Sequence, residues 1–236
     1  MTFTVRQATL DDKLILESLI AESARGLSRQ DYTDEQIEAA LGNAFGVDTQ
    51  LIHDGTFFVV EAEGEMVACG GWSKRKTLFG ADTRADRQPE LLAPERDAAK
   101  IRAFFVRPSW ARRGIGRLLL DRCETEARAA GYRNAELMAT LPGRRLYKAM
   151  GYEGDEPIQY DLGKGVIIEF VPMKKALVEG DTRGFNVSRE RWDTRCKGPG
   201  GNTSPPGPRV WPPTARERWA RGQPCGSAAR PAGAPP

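Results

Sequence analysis

One short stretch of this sequence crowds arginines and glycines together: Ala111-Arg112-Arg113-Gly114-Ile115-Gly116-Arg117, set directly after the apolar run Phe104-Phe105-Val106 and Pro108. Arginine brings a permanent positive charge and planar donors. Glycine removes the Cβ atoms that would keep a ligand away from the backbone. If such a stretch opens a helix, its first N–H groups lack partners and carry a partial positive charge. The combination suits phosphate oxygens. It is not a Walker A loop, because no Lys-Ser/Thr follows. It is a poor dinucleotide fingerprint, because Gly114-Ile115-Gly116 runs on into Arg117-Leu118-Leu119 with no third glycine. Taken alone, Gly-x-Gly favours a plain strand-to-helix turn.

The elements around this stretch follow from periodicity. Ile101 to Val106 is strand-like and stops at Pro108. Gly114 to Ala130 reads as a helix ended by Gly131, with Ile115, Leu118, Leu119, Cys123 and Ala127 as its inward stripe. Upstream, Phe3, Val5 and Gln7 predict a first strand. Leu14, Ile15, Ser18 and Leu19 recur at helical spacing behind Asp11 and Asp12, and Thr33 to Ile37 carries a capping pattern. Thr56 to Glu61 and Met66 to Trp72 predict a hairpin. Thr77 to Arg96 reads as a long polar loop. Downstream come a strand over Ala135 to Leu141, a short helix from Pro142 through Met150, and a closing hairpin of Gln159–Leu162 and Val166–Met173. The order β-α-α-β-β-β-α-β-α-β-β gives a mixed α/β (α+β) domain.

Composition sets the limits. The chain has 236 residues, 40% hydrophobic and 28% charged, ordinary values for a globular protein. No run of roughly 20 apolar residues is present. Met1 to Arg6 lacks the regions of a signal peptide. The four cysteines stand far apart, without a Cys-x-x-Cys pair, and His53 is the only histidine. Neither a zinc site nor a disulfide framework is therefore expected, and the expected location is cytoplasmic. The net charge is +3, but residues 178–236 hold 10 Lys+Arg against 5 Asp+Glu, which leaves 25 against 27 for residues 1–177. The same last segment holds 10 of the 16 prolines. It is read as a disordered Pro/Gly/Arg-rich tail (178–236) behind one globular domain (1–177). Trp192, Trp211 and Trp219 leave two readings of the tail open, an interaction segment or a fortuitous extension. A near-neutral domain gives no reason to expect nucleic-acid binding, and no membrane partner is expected.

Val106-x-Pro108 followed by Arg113-Gly114-Ile115-Gly116 and an apolar helix resembles motif A of the GCN5-related N-acetyltransferase (GNAT) superfamily. Leu146-Tyr147-Lys148-Ala149-Met150-Gly151-Tyr152 resembles the family's Tyr-x-x-x-Gly-aromatic ending. The element order agrees along residues 1 to about 175. The resemblance implies a mixed sheet of about seven strands with flanking helices, splayed between the fourth and fifth strands. It implies acetyl-CoA as cosubstrate, with pantetheine on backbone groups of Phe104, Phe105 and Val106. Pyrophosphate would lie on the N–H groups from Ala111 through Gly116, with Arg112, Arg113 and Arg117 adding charge. Two positions depart from the family pattern: Ala111, where Gln or Arg is usual, and Thr140, near a common asparagine.

The resemblance further implies acetyl transfer to a primary amine by direct attack in a ternary complex. The Val106 N–H is the expected oxyanion donor, and Tyr147 the general acid, its phenol pKa near 10 being suited to a thiolate. Glu136 alternates with Met138 and Thr140 and is a candidate base, a solvated strand-end glutamate being the alternative. His53, beside Asp54-Gly55, reads as a turn residue, and Cys123 as core. The acceptor, a small molecule or a peptide amine, would be met by residues 25–45 and 74–96. A non-catalytic acyl-CoA-binding regulatory module of the same fold is the alternative function, and homodimerisation stays open.

Overall fold

The computed structural model describes residues 2–83 and 88–177 of the chain. The tail expected over 178–236 lies outside the described residues. β1 (Thr4–Gln7) leads into a short 3-10 turn and α1 (Lys13–Leu27). α2 (Asp34–Leu41) and α3 (Thr49–His53) precede the hairpin β2 (Phe57–Ala62) and β3 (Glu65–Ser73). Then follow β4 (Ala99–Val106), α4 (Ile115–Ala129), β5 (Asn134–Thr140), α5 (Arg144–Ala149), β6 (Ile158–Asp161) and β7 (Ile167–Ala176). The strands form one sheet in the order β1-β2-β3-β4-β5-β7-β6. Every pairing is antiparallel except β4 with β5.

Local chemistry explains most of these elements. Thr33 caps α2 by accepting the N–H of Gln36, whose side chain returns to the Thr33 N–H, the reciprocal arrangement expected from the sequence. Glu63 and Gly64 turn the β2–β3 hairpin with φ of 53° and 82°. α3 was not expected. It is a single short turn, and its N-terminal cap is Asp48, which accepts the Gln50 N–H. The face of α1 also differs from expectation. Leu14 and Ile15 are exposed, at 79% and 48%, while Leu16, Leu19, Ile20, Ser23 and Ala24 are buried. The apolar pattern started two residues early, because the first turn is a 3-10 turn anchored by Asp12 to the guanidinium of Arg6.

Two hydrophobic clusters cover the two sheet faces. α4 packs on one with Ile115, Leu119, Leu120, Cys123 and Ala127, joined by Tyr147 and Tyr152. α1, α2 and α3 pack on the other, with Phe45, Phe105 and Phe170 among them. Burial decides the fold more than local propensity does, since α3 and α5 are far too short to hold alone.

A buried ion pair on the second face fixes the long loop. Arg102 of β4 meets Asp48 at 2.7 Å, their side chains 3% and 0% exposed, and also donates to the Gly80 carbonyl. Removing one partner leaves an uncompensated buried charge. Arg102→Leu should therefore lower unfolding stability by about 3–5 kcal/mol in a urea titration. Adding Asp48→Asn to it should cost less than the sum of the single changes.

Candidate active site

The site is made by a strand that leaves its neighbour. β4 and β5 pair in parallel only at Ala99↔Ala135 and Lys100↔Glu136. Beyond Lys100, β5 keeps its register with β7 as far as Thr140↔Phe170, while β4 keeps its own with β3 as far as Val106↔Ala68. A fork opens between them. A bulge in β4 sharpens it: Arg102 pairs with Gly71 but Phe105 with Cys69, so β4 carries one extra residue. Ala103 takes that place with φ 56°, a left-handed conformation that costs a non-glycine residue roughly 1–2 kcal/mol. The extra residue also reverses the side-chain alternation. Ile101 belongs to the α4 face, as Phe104 and Val106 do after the bulge, while Phe105 turns to the α1 face and its ring meets Phe45 at 5.8 Å.

At the open end of the fork, β4 passes through Pro108 and Trp110 into α4. Arg112 and Gly114 have φ of 64° and 85°, and Gly114 is the N-terminal cap of the helix. Among the described residues, none accepts from the N–H groups of Gly114, Ile115, Gly116 or Arg117. A Cβ built on Gly114 meets nothing within 4 Å, so open space lies in front of this row of donors. Gly116 is different. A Cβ there would come 2.8 Å from the Leu146 side chain, so the missing side chain of this glycine lets α4 approach α5. The three arginines also separate. Arg113 folds back over the Trp110 ring, 4.7 Å from its centroid, and donates to the Ser109 carbonyl. Arg117 leans on the Met150 sulfur, and Arg112 is exposed. Ala111 continues the 3-10 turn by donating its N–H to Pro108.

Tyr147 stands on α5, on the α4 side of the fork. Its ring makes edge contacts with Phe104 at 6.2 Å and Tyr152 at 5.9 Å. Burial raises its pKa well above that of a free phenol, so the hydroxyl keeps its proton at neutral pH. Tyr152 backs this ring. Behind it, a buried carboxylate that the sequence reading missed, Glu124 of α4, receives Lys175 of β7 at 2.8 and 3.0 Å and Arg128 at 3.2 Å. Glu124 falls next to Cys123 on the inward stripe, and the signal for it was Arg128 four residues on.

Other expected residues are placed elsewhere or are already engaged. Glu136 lies at the closed end of the fork, where its carboxylate is paired with Lys100 on the neighbouring strand. It is held as half of an ion pair and does not stand alone as a base. The Val106 N–H is already taken by the Ser23 hydroxyl at 3.1 Å. Thr140 accepts the Gly143 N–H and so shapes the turn from β5 into α5. His53 is exposed at the end of α3, and Cys69 and Cys123 are buried free thiols. Among the described residues there is no group of three His, Cys, Asp or Glu that could hold a metal, and no helix long and apolar enough to cross a membrane.

The forked seven-stranded sheet, with helices on both faces and a single parallel pair at the fork, places this domain among the GNAT-like α/β folds. A model of the acetyltransferase (GNAT) family matches residues 17–152, more than half of the chain, and the chain belongs to that family. Among solved structures it is similar to a GCN5-related N-acetyltransferase from Rhodopseudomonas palustris, at 18% identity and a TM-score of 0.55 over 75% of this chain and 96% of that one. It is similar to the paia N-acetyltransferase from Thermoplasma acidophilum, solved in complex with coenzyme A, at 15% identity and a TM-score of 0.51 over 75% and 99%. A third, yncA from Salmonella typhimurium, solved with acetyl-CoA, gives 16% identity and a TM-score of 0.50 over 76% and 96%. A search of curated proteins finds no match.

The two glycines of the turn should behave differently. Gly116→Ala must displace Leu146, the residue before Tyr147, and should cost about 1–3 kcal/mol in denaturant unfolding. Gly114→Ala meets no neighbour and should cost only the left-handed backbone penalty, about 1 kcal/mol.

Proposed function

We propose that this domain transfers an acetyl group from acetyl-CoA to a primary amine. The observation that carries the reading is the fork itself. Unpaired β4 backbone opens beside the bare N–H row of α4, with a protonated tyrosine on the same side. The residues present fit an acyl-CoA. The space before Gly114 is open, the N–H groups of Gly114 to Arg117 lack acceptors among the described residues, and β4 from Ile101 to Val106 has no β5 partner. Gly114 to Arg117 would hold the pyrophosphate, helped by the partial charge of the 15-residue α4 and by Arg112. Backbone of Phe104 to Val106 would hold the pantetheine arm. Bound there, the cosubstrate supplies an activated acyl thioester. The chain's own contribution is to orient it, shield it from water and return a proton to the leaving thiolate from Tyr147.

The raised pKa of Tyr147 bears on that last role. A phenol less acidic than usual remains protonated across the working range, so its proton is present when the thiolate leaves, and the same burial raises the proton affinity of a thiolate produced beside it. The base that receives the amine's proton is not assigned to Glu136, because Lys100 holds it.

The acceptor is proposed to enter from the α1 side. A cavity of about 300 Å³ lies there between α1, the α2–α3 connection and the long loop, lined by Glu17, Ile20, Arg25, Phe45 and Asp82 among others. Half of its twelve lining residues come from the two segments expected to meet the acceptor. Lys13 and Arg25 line it together with Glu17 and Asp82, so its wall carries both signs of charge.

Two measurements test the reading. Gly114→Glu puts bulk and negative charge into the open space before α4. It should abolish binding of acetyl-CoA in calorimetry while the domain still melts cooperatively; retained wild-type affinity would place the cradle elsewhere. Tyr147→Phe keeps the ring contacts with Phe104 and Tyr152 and removes only the hydroxyl. With an acceptor amine found by mass-spectrometric screening of an amine library, it should lower kcat by about 100-fold and leave acetyl-CoA affinity nearly unchanged. Equal turnover would reduce Tyr147 to packing.

A further inference from the structure

Val106 carries a backbone N–H that faces the fork. Arg107 donates its own N–H to the Val67 carbonyl on β3, and successive N–H groups of an extended strand point to opposite edges. The Val106 N–H therefore points to the edge that β5 has left. What fills that place is the hydroxyl of Ser23, reaching in from α1 at 3.1 Å. Ser23 is 4% exposed. Among the described residues nothing accepts the proton of its hydroxyl, not even the carbonyl one turn earlier, which is where Thr125 of α4 places its own. The site thus holds one hydroxyl with an unused donor, in contact with one strand N–H, at the opening between β4 and β5.

α1 is held firmly at this point. Glu22, the preceding residue, pairs with Arg107, the residue after Val106. One turn further, a Cβ on Gly26 would lie 2.3 Å from Pro108 Cγ, so only glycine permits this approach. Between these contacts the helix backbone has little room to move, and rotation about Ser23 χ1 is the freedom left to its hydroxyl. A carbonyl oxygen that takes the Val106 N–H must displace the Ser23 oxygen by such a rotation. The hydroxyl then lies beside that oxygen with its proton free to give.

Resting on the acetyl-CoA reading above, we infer that Ser23 is the second donor to the acyl carbonyl oxygen, acting together with the Val106 N–H. Two donors converging from the strand and from α1 hold the thioester carbonyl and stabilise the negative charge that gathers on its oxygen as the amine attacks. In the free protein, Ser23 satisfies the Val106 N–H and so keeps this position paired while no ligand is bound.

The test compares full-length wild type, Ser23→Ala and Ser23→Thr. Alanine suits a helix interior and nearly matches serine in size, so the fold should survive. Calorimetry with acetyl-CoA and with free CoA separates the acyl carbonyl from the rest of the ligand, because CoA lacks it. Ser23→Ala should weaken acetyl-CoA about fivefold, the effect of one neutral hydrogen bond, and leave CoA unchanged. In turnover, kcat should fall on the order of 100-fold, the effect of losing one oxyanion donor. Ser23→Thr keeps the hydroxyl and should recover the ratio of the two affinities. Equal weakening of both ligands would overturn the inference, since the hydroxyl would then touch a part they share. Tighter binding of both would also overturn it, since Ser23 would then only compete for the N–H. Failure of wild type to bind either ligand would instead remove the acyl-CoA reading on which the inference stands.

Discussion

Backbone N–H and C=O groups in a protein interior need partners, and a sheet normally supplies them along its whole length. Between β4 and β5 this domain withholds them. The two strands share their register for two residue pairs, Ala99↔Ala135 and Lys100↔Glu136, and then part. The Lys100–Glu136 ion pair closes the narrow end. Past it, each strand is held by its outer neighbour, β4 by β3 and β5 by β7, so the gap does not collapse. Three features depend on this separation: a strand edge inside the protein, a helix whose N-terminus opens beside it, and room for Tyr147 and Ser23 to approach from opposite faces.

The parts that maintain the gap are costly locally and stabilised elsewhere. The Ala103 bulge places a non-glycine residue at positive φ, and Arg112 repeats this in the turn before α4. Such conformations persist only when their surroundings over-determine them. Here Arg102, next to the bulge, is locked by Asp48 and the Gly80 carbonyl, and Arg107, at the strand's far end, by the Met66 carbonyl and Glu22. Tyr32 ties the open end of β5 to β7, accepting the Leu141 N–H and donating to the Glu169 carbonyl. The fork is framed by specific polar ties as well as by the apolar clusters on the two sheet faces.

Two faces divide the work. On the α4 face lie the bare N–H row, Phe104 and Tyr147, backed by Tyr152 and the buried Glu124–Lys175 pair. On the other lie α1, the cavity, the aromatic group of Phe45, Phe105 and Phe170, and Ser23 at the edge of the fork. This division comes from the bulge. Without the extra residue in β4, Phe104 and Val106 would point to the α1 face and Phe105 to the α4 face, because strand side chains alternate with period two.

By itself the sequence determined the element order, apart from the one-turn α3, and the motifs that mark the family. Those depend on local chemistry: capping at Thr33, glycines at turns, apolar stripes along α4, a proline after β4. The two motif segments at 106–116 and 146–152 were legible for the same reason. The roles of individual residues within them were less so. Gly114 and Gly116 look alike in the sequence, yet one faces open space and the other Leu146, because only the packing of α5 on α4 distinguishes them. Glu136 reads as a free carboxylate until the parallel register sets it beside Lys100. Val106 reads as an unpaired donor until α1, more than 80 residues earlier, brings Ser23 to it. Each of these was decided by contacts between residues distant along the chain, and such contacts are fixed by how helices and strands bury their apolar faces against one another, which local patterns cannot specify.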